Sequence, residues 1–313
     1  AVDYLSFLHS AERVRTPLVK RNGGLMPVSW KEALTVASEG LKQAKERYGG
    51  QQLAVLTCPT LTNEANYLAQ KFARVVLETN HVDTTVPLPV NDALVKSFGK
   101  NASTCSFDDI LAADLIFLFG CDVTTEYPVL ALKIRKAVDK GSKLVIVNHQ
   151  ATRLDPLAAM TIKANRRMTA GLLQTMLNYI FHYNLIDHKF VSLRTLGIEN
   201  LERSVAEYPV EKVAETLWVK PAKLIELTHL YIRAKNPVIV VNGSTVSPSE
   251  LMLLADLALI SGNVGREGAG IMICRSYGDG QGRIDIVSPD HHPGLESIYD
   301  QETRKKMAAL WGK

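Results

Sequence analysis

The residues of this chain best placed to do chemistry gather in "GNVGREGAGIMICRSYGDGQG", residues 262–282, where seven glycines in twenty-one positions surround Arg275. A guanidinium between glycine clusters can grip a carboxylate or a phosphate through two parallel hydrogen bonds, and glycines let backbone N–H groups approach the same anion. The stretch has no Gly-Lys-Ser/Thr ending, so it is not a P-loop. It follows a helical tract instead of a strand, so it is not the dinucleotide fingerprint. By local rules it reads as a long glycine-rich connection between lobes, with Arg275 as its anion-binding side chain.

Other chemistries have less support. Cys58, Cys105, Cys121 and Cys274 lie far apart with no C-x-x-C pair, so no zinc ribbon or cysteine-held cluster is encoded here. Each reads as a small buried apolar residue of a reducing compartment. "DHHPG" sets Asp290 beside His291 and His292, but neighbours in an extended segment point to opposite sides, so the two rings cannot share an ion. An exposed loop is the expectation there, and no metal site is expected on this chain. A serine hydrolase is excluded by the absence of a G-x-S-x-G elbow.

The 36 basic and 32 acidic residues leave a net charge of only +4 and are spread along the sequence, which argues against a nucleic-acid partner or a polybasic membrane anchor. No apolar run approaches the roughly 20 residues that span a bilayer, so no direct membrane insertion is expected. "AVDYLSFLHSAERVRT" lacks the regions of a signal peptide, and a cytoplasmic location is the expectation.

The elements that must position Arg275 follow from periodicity. "LAVLT" (53–57), "DLIFLFG" (114–120), "KLVIVN" (143–148) and "PVIVVNG" (237–243) are short apolar runs, each adjoining an amphipathic helical stretch; a longer helical tract covers about 168–234. Repeated β-α-β units predict an α/β fold, a doubly wound, mostly parallel sheet with helices on both faces. Ligands of such sheets sit beyond the carboxyl ends of the strands, here the segments beginning at Gly120, Asn148 and Gly243. After the last of these, Ser247 or Ser249 is available to cap the next helix.

Four stretches carry a resemblance covering nearly the whole chain: "RTPLVKRNGGLMPVSWKEAL" (15–34), "NEANYLAQKFARVVLETNHVD" (63–83), "DLIFLFGCDVTTEYPV" (114–129) and "LADLALISGNVGREGAGIMICR" (254–275). In order and spacing they resemble the molybdopterin oxidoreductases, most of all formate dehydrogenase catalytic subunits and the related G subunit of NADH dehydrogenase. The resemblance implies a formate dehydrogenase-like Rossmann-type domain over 91–274, and a second α/β lobe built from 1–90 and 275–313. It implies bis-molybdopterin guanine dinucleotide with Mo or W as the family cofactor, and an iron-sulfur cluster only where an upstream domain supplies one. The sequence would then begin just past the cluster domain and end before the family's C-terminal domain.

Carried onto this sequence, the resemblance makes Gly120, Cys121, Asp122, Asn148, Gly243 and Ser244 the cofactor-facing strand ends. Gly278, Gly280, Gln281 and Gly282 form the glycine ladder, and Arg275 stands at the active-site arginine. The metal ligand does not carry over. Active formate dehydrogenases hold the metal through Cys or selenocysteine followed by His, whereas "NHVDTTVPLPVNDALVKSFG" has no Cys between Asp83 and Gly99 and no His after His81. Thr84, Thr85, Asn91 and Asp92 are the polar residues left there, and a hydroxyl is a poor replacement for a soft thiolate. Asn148, His149 and Gln150 replace the family's Asp-Pro-Arg, and Arg167, Met168 and Thr169 replace its guanine-meeting turn. The expectation is a degenerate, non-catalytic scaffold domain of an electron-transfer complex that binds no cofactor itself, with other subunits or domains of a redox complex as partners. The alternative is a fragment of an active formate dehydrogenase.

Overall fold

The structure, a computed structural model, describes residues 2–58, 60–85, 92–275 and 280–312. The chain divides into two compact units, Ala1–Val86 with Gly282–Lys313, and Pro87–Gln281.

The first unit opens with α1 (Val2–Leu8) and a hairpin of β1 (Leu18–Arg21) and β2 (Gly24–Pro27). Asn22 and Gly23 turn that hairpin with φ of 51° and 82°, the left-handed pair that a two-residue hairpin requires. Helix α2 (Trp30–Tyr48) starts where the Ser29 side chain accepts from the Glu32 N–H, an N-cap. Then come β3 (Val55–Thr57), α3 (Asn63–Lys71) running into a π-helical turn at Phe72–Leu77, and β4 (Val82–Thr84), which pairs with β3 in parallel.

The second unit carries α4 (Asp92–Phe98), α5 (Asp109–Ala112), β5 (Leu115–Phe119), α6 (Val123–Glu126), α7 (Pro128–Asp139), β6 (Lys143–Asn148) and β7 (Met160–Lys163). The helical tract expected over 168–234 resolves into α8 (Thr169–His182), α9 (His188–Arg194), α10 (Ile198–Val205), α11 (Val210–Leu217) and α12 (Pro221–Arg233). It leads to β8 (Pro237–Asn242), α13 (Pro248–Ile260) and β9 (Gly270–Cys274). Helix α14 (Gly280–Ile286) contains the unit boundary, and β10 (His291–His292), β11 (Glu296–Ser297) and α15 (Gln301–Trp311) belong to the first unit.

Sheet order in the second unit is β7-β6-β5-β8-β9, all parallel. Every residue of β5 and β8 is buried, which is why these strands read as unbroken apolar runs instead of alternating ones. Alternation still sorts the faces. Leu115, Phe117, Phe119, Ile239 and Val241 join the core under α8–α13, while Ile116, Leu118, Val238 and Val240 join the core under α5–α7. Helix α7 begins with Pro128, whose fixed φ suits a first turn, and buries Leu130, Ala131, Ile134 and Ala137 along one face. Ser247, not Ser249, caps α13, in a reciprocal box with Glu250.

Two sequence expectations change. Strand β7 carries no local signal strong enough to have been read. The glycine-rich stretch is not a continuous loop, because its middle, Gly270–Cys274, is a buried strand on the edge of the sheet. That edge is closed by the segment at 103–104: Ile273 N–H donates to Ser103 Oγ at 2.9 Å, Ile271 N–H to Thr104 Oγ1 at 2.8 Å, and Thr104 N–H to Ile271 O at 2.9 Å. Hydroxyls stand in for a neighbouring strand's backbone and blunt the exposed edge.

Candidate functional site

The chain runs outward from β5 through β6 to β7, then returns to lay β8 and β9 on the other side of β5. The order in which strands are added therefore reverses between β5 and β8, and the crevice beyond their carboxyl ends is the position at which open α/β sheets bind ligands. Gly120 stands there after β5 and Gly243 after β8.

Gly120 has φ of 65°, which only glycine adopts at low cost, and a Cβ there would meet nothing within 4 Å. Gly243 is glycine for a different reason. A Cβ would lie 2.7 Å from Ile273 Cγ2, so the neighbouring strand leaves no room for one. Both backbone N–H groups are committed to prolonging the sheet, Gly120 to Val147 O at 2.8 Å and Gly243 to Cys274 O at 2.9 Å.

Asp122 caps α6, accepting from Thr124 N–H at 3.0 Å, Thr124 Oγ1 at 2.6 Å and Thr125 Oγ1 at 2.9 Å. Partial burial pushes its carboxyl up, but those hydrogen bonds outweigh burial and hold it below the usual value. Asn148 Oδ1 accepts from the His149 N–H at 2.9 Å and lies 3.0 Å from its Nδ1. Ser244 N–H donates to Asn242 Oδ1 at 2.8 Å, and Asn242 Nδ2 donates to the Glu126 carboxylate, tying the end of β8 to α6. Cys121 turns away from the crevice: its thiol is buried and donates weakly to Val240 O at 3.7 Å.

Arg275 is held within the second unit. Its Nε donates to Gln281 Oε1 at 2.8 Å and its Nη2 to Asn101 Oδ1 at 3.0 Å and Asn101 O at 3.3 Å, while Gln281 Nε2 donates to Asn101 O at 2.8 Å. Gly280 packs against this arginine, since a Cβ would sit 2.8 Å from Arg275 Cβ, and Gly282, in the first unit, would overlap Asn63 Oδ1 if it had one. Gly278, Asn91 and the side chain of Asp92 lie outside the described residues.

Two depressions flank the strand ends. On the α6–α7 side a cleft of about 810 Å³ runs between Phe107, Tyr127, Leu130 and Met272, with Glu126 and Arg275 among its polar lining. Its thiols are not nucleophiles: burial, then Asp109, pushes Cys105 up to about 12, and burial, then the Glu126 carboxylate, does the same to Cys274. On the α8–α13 side the space among Gly120, Asn148, His149, Arg166 and Glu250 is about 20 Å³, room for one water. It is closed by Arg166 Nη2 donating to Thr245 O at 2.8 Å and by Thr169 Oγ1 donating to Glu250.

Elsewhere the expectations fare unevenly. Cys121 and Cys274 are buried as read, but Cys58 and Cys105 are only half-buried. His292 does not lie in an exposed loop. It is buried, with Nδ1 3.1 Å from Arg74 Nη1, and burial followed by the Arg74 charge holds its pKa below the ordinary value. Among the described residues, no three His, Cys, Asp or Glu side chains converge to hold a metal. Sequence reasoning missed Asn101, Glu126, Arg166 and Asn242. Glu126 stood inside a quoted strand-end segment, but nothing local ties Asn101 to Arg275, 174 positions away.

Comparison with known proteins places this arrangement. The chain is 31% identical over 313 residues to the alpha subunit of F420-dependent formate dehydrogenase 2 of Methanococcus maripaludis, covering 97% of this chain and 45% of that protein. It is 32% identical over 311 residues to formate dehydrogenase H of Escherichia coli, covering 96% of this chain and 44% of that one. It thus spans less than half the length of these relatives. Acetylene hydratase from Pelobacter acetylenicus shares the fold, with a TM-score of 0.71 at 21% identity over 87% of this chain and 38% of the hydratase. The molybdopterin oxidoreductase family model matches residues 13–306, so the chain belongs to the molybdopterin oxidoreductase family.

Proposed function

We propose that this chain is a formate dehydrogenase-like scaffold module of a redox complex, one that keeps the family's fold without the means to hold its metal. The observation that carries the reading is the segment between Asp83 and Gly99, which contains neither Cys nor His. The resemblance to active formate dehydrogenases implies a soft thiolate or selenolate ligand at this place, and Thr84, Thr85, Asn91 and Asp92 supply only oxygen donors there.

The family implies a molybdopterin cofactor with Mo or W. The strand ends described above fit such a dinucleotide poorly. A pyrophosphate is held by free backbone N–H groups and cations. Here the Gly120 and Gly243 N–H groups are spent on the sheet, and in the cleft beside them the Glu126 carboxylate offsets the charge of Arg275. On the other side, the Arg166–Thr245 and Thr169–Glu250 hydrogen bonds draw the walls together and leave about 20 Å³ between them.

Partnership with other subunits of an electron-transfer complex, in the manner of the NADH dehydrogenase G subunit, accords with relatives named as alpha subunits. Among the described residues no helix is long and apolar enough to cross a membrane. A second reading, part of a working formate dehydrogenase, is favoured by Arg275, whose guanidinium is fixed by Gln281 and Asn101 at one end of an open cleft.

Metal analysis of the intact natural protein, with formate-dependent dye reduction, separates the two. The scaffold reading expects Mo and W far below one per chain and no formate oxidation. Stoichiometric metal with turnover that disappears in Arg275→Ala would establish the second reading instead.

A further inference from the structure

We propose that the second unit carries a separate binding site at the opposite end of its sheet from Gly120 and Gly243, one that takes a mononucleotide with an amino-bearing base, such as adenosine monophosphate. The inference holds whether or not the chain is catalytic.

The first observation is a cavity of about 440 Å³ at the amino ends of β5 and β6, a volume within the range of small-molecule sites. Leu115 and Lys143 line it side by side, in register on adjacent strands. Alternation puts Lys143 on the same face of β6 as Val145 and Val147, both 0% exposed, so a lysine opens a face that is otherwise apolar. The turn before it is fixed. Ser142 Oγ donates to Ala113 O at 2.6 Å, and Gly141 holds a φ of 107° that side chains resist.

The second observation is α12. It buries Leu224, Leu227, Thr228 and Tyr231 in the core and turns the neighbouring stripe of Glu226, His229, Leu230 and Arg233 to the cavity. Glu226 and Arg233 stand about 10 Å apart along the axis, at roughly 1.5 Å per residue, and His229 lies between them.

The third observation is how the charges are used. Among the described residues neither Lys143 nor Arg233 takes part in an ion pair. The Asp114 carboxylate, also on the cavity wall, is engaged by the Lys235 and Asn236 N–H groups at 2.8 Å each. One end of the cavity is therefore cationic, suited to a phosphate, and Glu226 makes the other end an acceptor. Between them His229 Nε2 lies 3.2 Å from Tyr179 Oη, which leaves Nδ1 for a ligand hydroxyl. Phosphate, sugar hydroxyls and an exocyclic amino group, in that order, are the parts of an amino-base mononucleotide. Inorganic phosphate would use one end alone, and a base with a carbonyl in place of the amino group would set its oxygen against the Glu226 carboxylate.

Isothermal titration calorimetry of the intact natural protein with adenosine monophosphate, inosine monophosphate and inorganic phosphate tests the proposal. Adenosine monophosphate is expected to bind at least about tenfold more tightly than either of the others, and to weaken at least about tenfold when Lys143→Ala and Arg233→Ala are combined. Glu226→Gln, whose amide can donate to the inosine carbonyl, is expected to erase the preference between the two nucleotides. Lys143, Glu226 and Arg233 are exposed, so these variants leave the core intact. Nucleotide binding unchanged in the double variant overturns the proposal, because the ligand then sits elsewhere on the protein. Equal affinity for the two nucleotides, phosphate binding as tight as that of adenosine monophosphate, or no binding at all overturns it too, and none of these outcomes bears on the scaffold reading.

Discussion

A methyl group added at Gly120 and one added at Gly243 would be resisted by different forces, and stability measurements can tell them apart. Gly243→Ala forces a Cβ onto Ile273 Cγ2 at 2.7 Å, and overpacking of this kind costs about 1–3 kcal/mol. Ile273→Leu removes that branch, so the double variant is expected to recover part of the loss in urea denaturation. Gly120→Ala meets open space but holds a φ of 65°, a penalty of about 1–2 kcal/mol that no neighbouring substitution relieves. Asp256 gives a pH signature. Burial raises its carboxyl from 3.8 to about 6, so between these values the folded state binds more protons than the unfolded chain, and stability falls as pH rises. The contribution is complete below 3.8 and lost as pH passes about 6. Asp256→Asn is expected to flatten stability against pH in that window; an unchanged slope in urea titrations would show that another group is responsible.

Among the elements, β9 depends most on contacts distant in sequence. Its edge is covered by the hydroxyls of Ser103 and Thr104 instead of by a strand. Thr104→Val keeps the shape and removes the acceptor for Ile271 N–H, and an orphaned buried donor costs about 1–3 kcal/mol. Faster amide exchange confined to Ile271 and its neighbours, with β5 unchanged, is the expected outcome. The strands β5, β6 and β8 were legible in the sequence because burial on both faces leaves an apolar run with no polar interruption. β9 was not, because its glycines and its place inside a glycine-rich stretch imitate a loop, and what makes it a strand is pairing with β8. The tract from 168 to 234 was legible as helical but not as five helices. The breaks include Gly197 and Trp218, both in left-handed conformations that the apolar periodicity does not register.

At the scale of the molecule, the two units differ in how much core supports them. The second encloses its sheet between two large apolar clusters, whereas the first buries the small cluster around Ala73, Val82 and Val287. Heating the 313-residue chain is therefore expected to give two transitions, with the first unit unfolding before the second. Limited proteolysis below the second transition should cut within residues 1–60 and spare 115–260. A single calorimetric transition with matching van't Hoff and calorimetric enthalpies would count against this division.

The sequence by itself determined the α/β class, the principal strands, the strand-end glycines and the family. Each follows from local composition, from periodicity, or from motifs in a fixed order. It also determined that the Asp83–Gly99 segment offers no soft ligand, since that is a matter of residue type alone. Only the tertiary structure decided how the strand ends are used. Arg275 finds Asn101, Asn242 finds Glu126, and Arg74 finds His292 across separations of 174, 116 and 218 residues. Such pairings are set by where the sheet and its helices bring distant segments together, and no local pattern encodes them. The tertiary structure also gave "GNVGREGAGIMICRSYGDGQG" its form, because pairing with β8 converts the middle of a glycine-rich stretch into a strand and leaves Arg275 at its end.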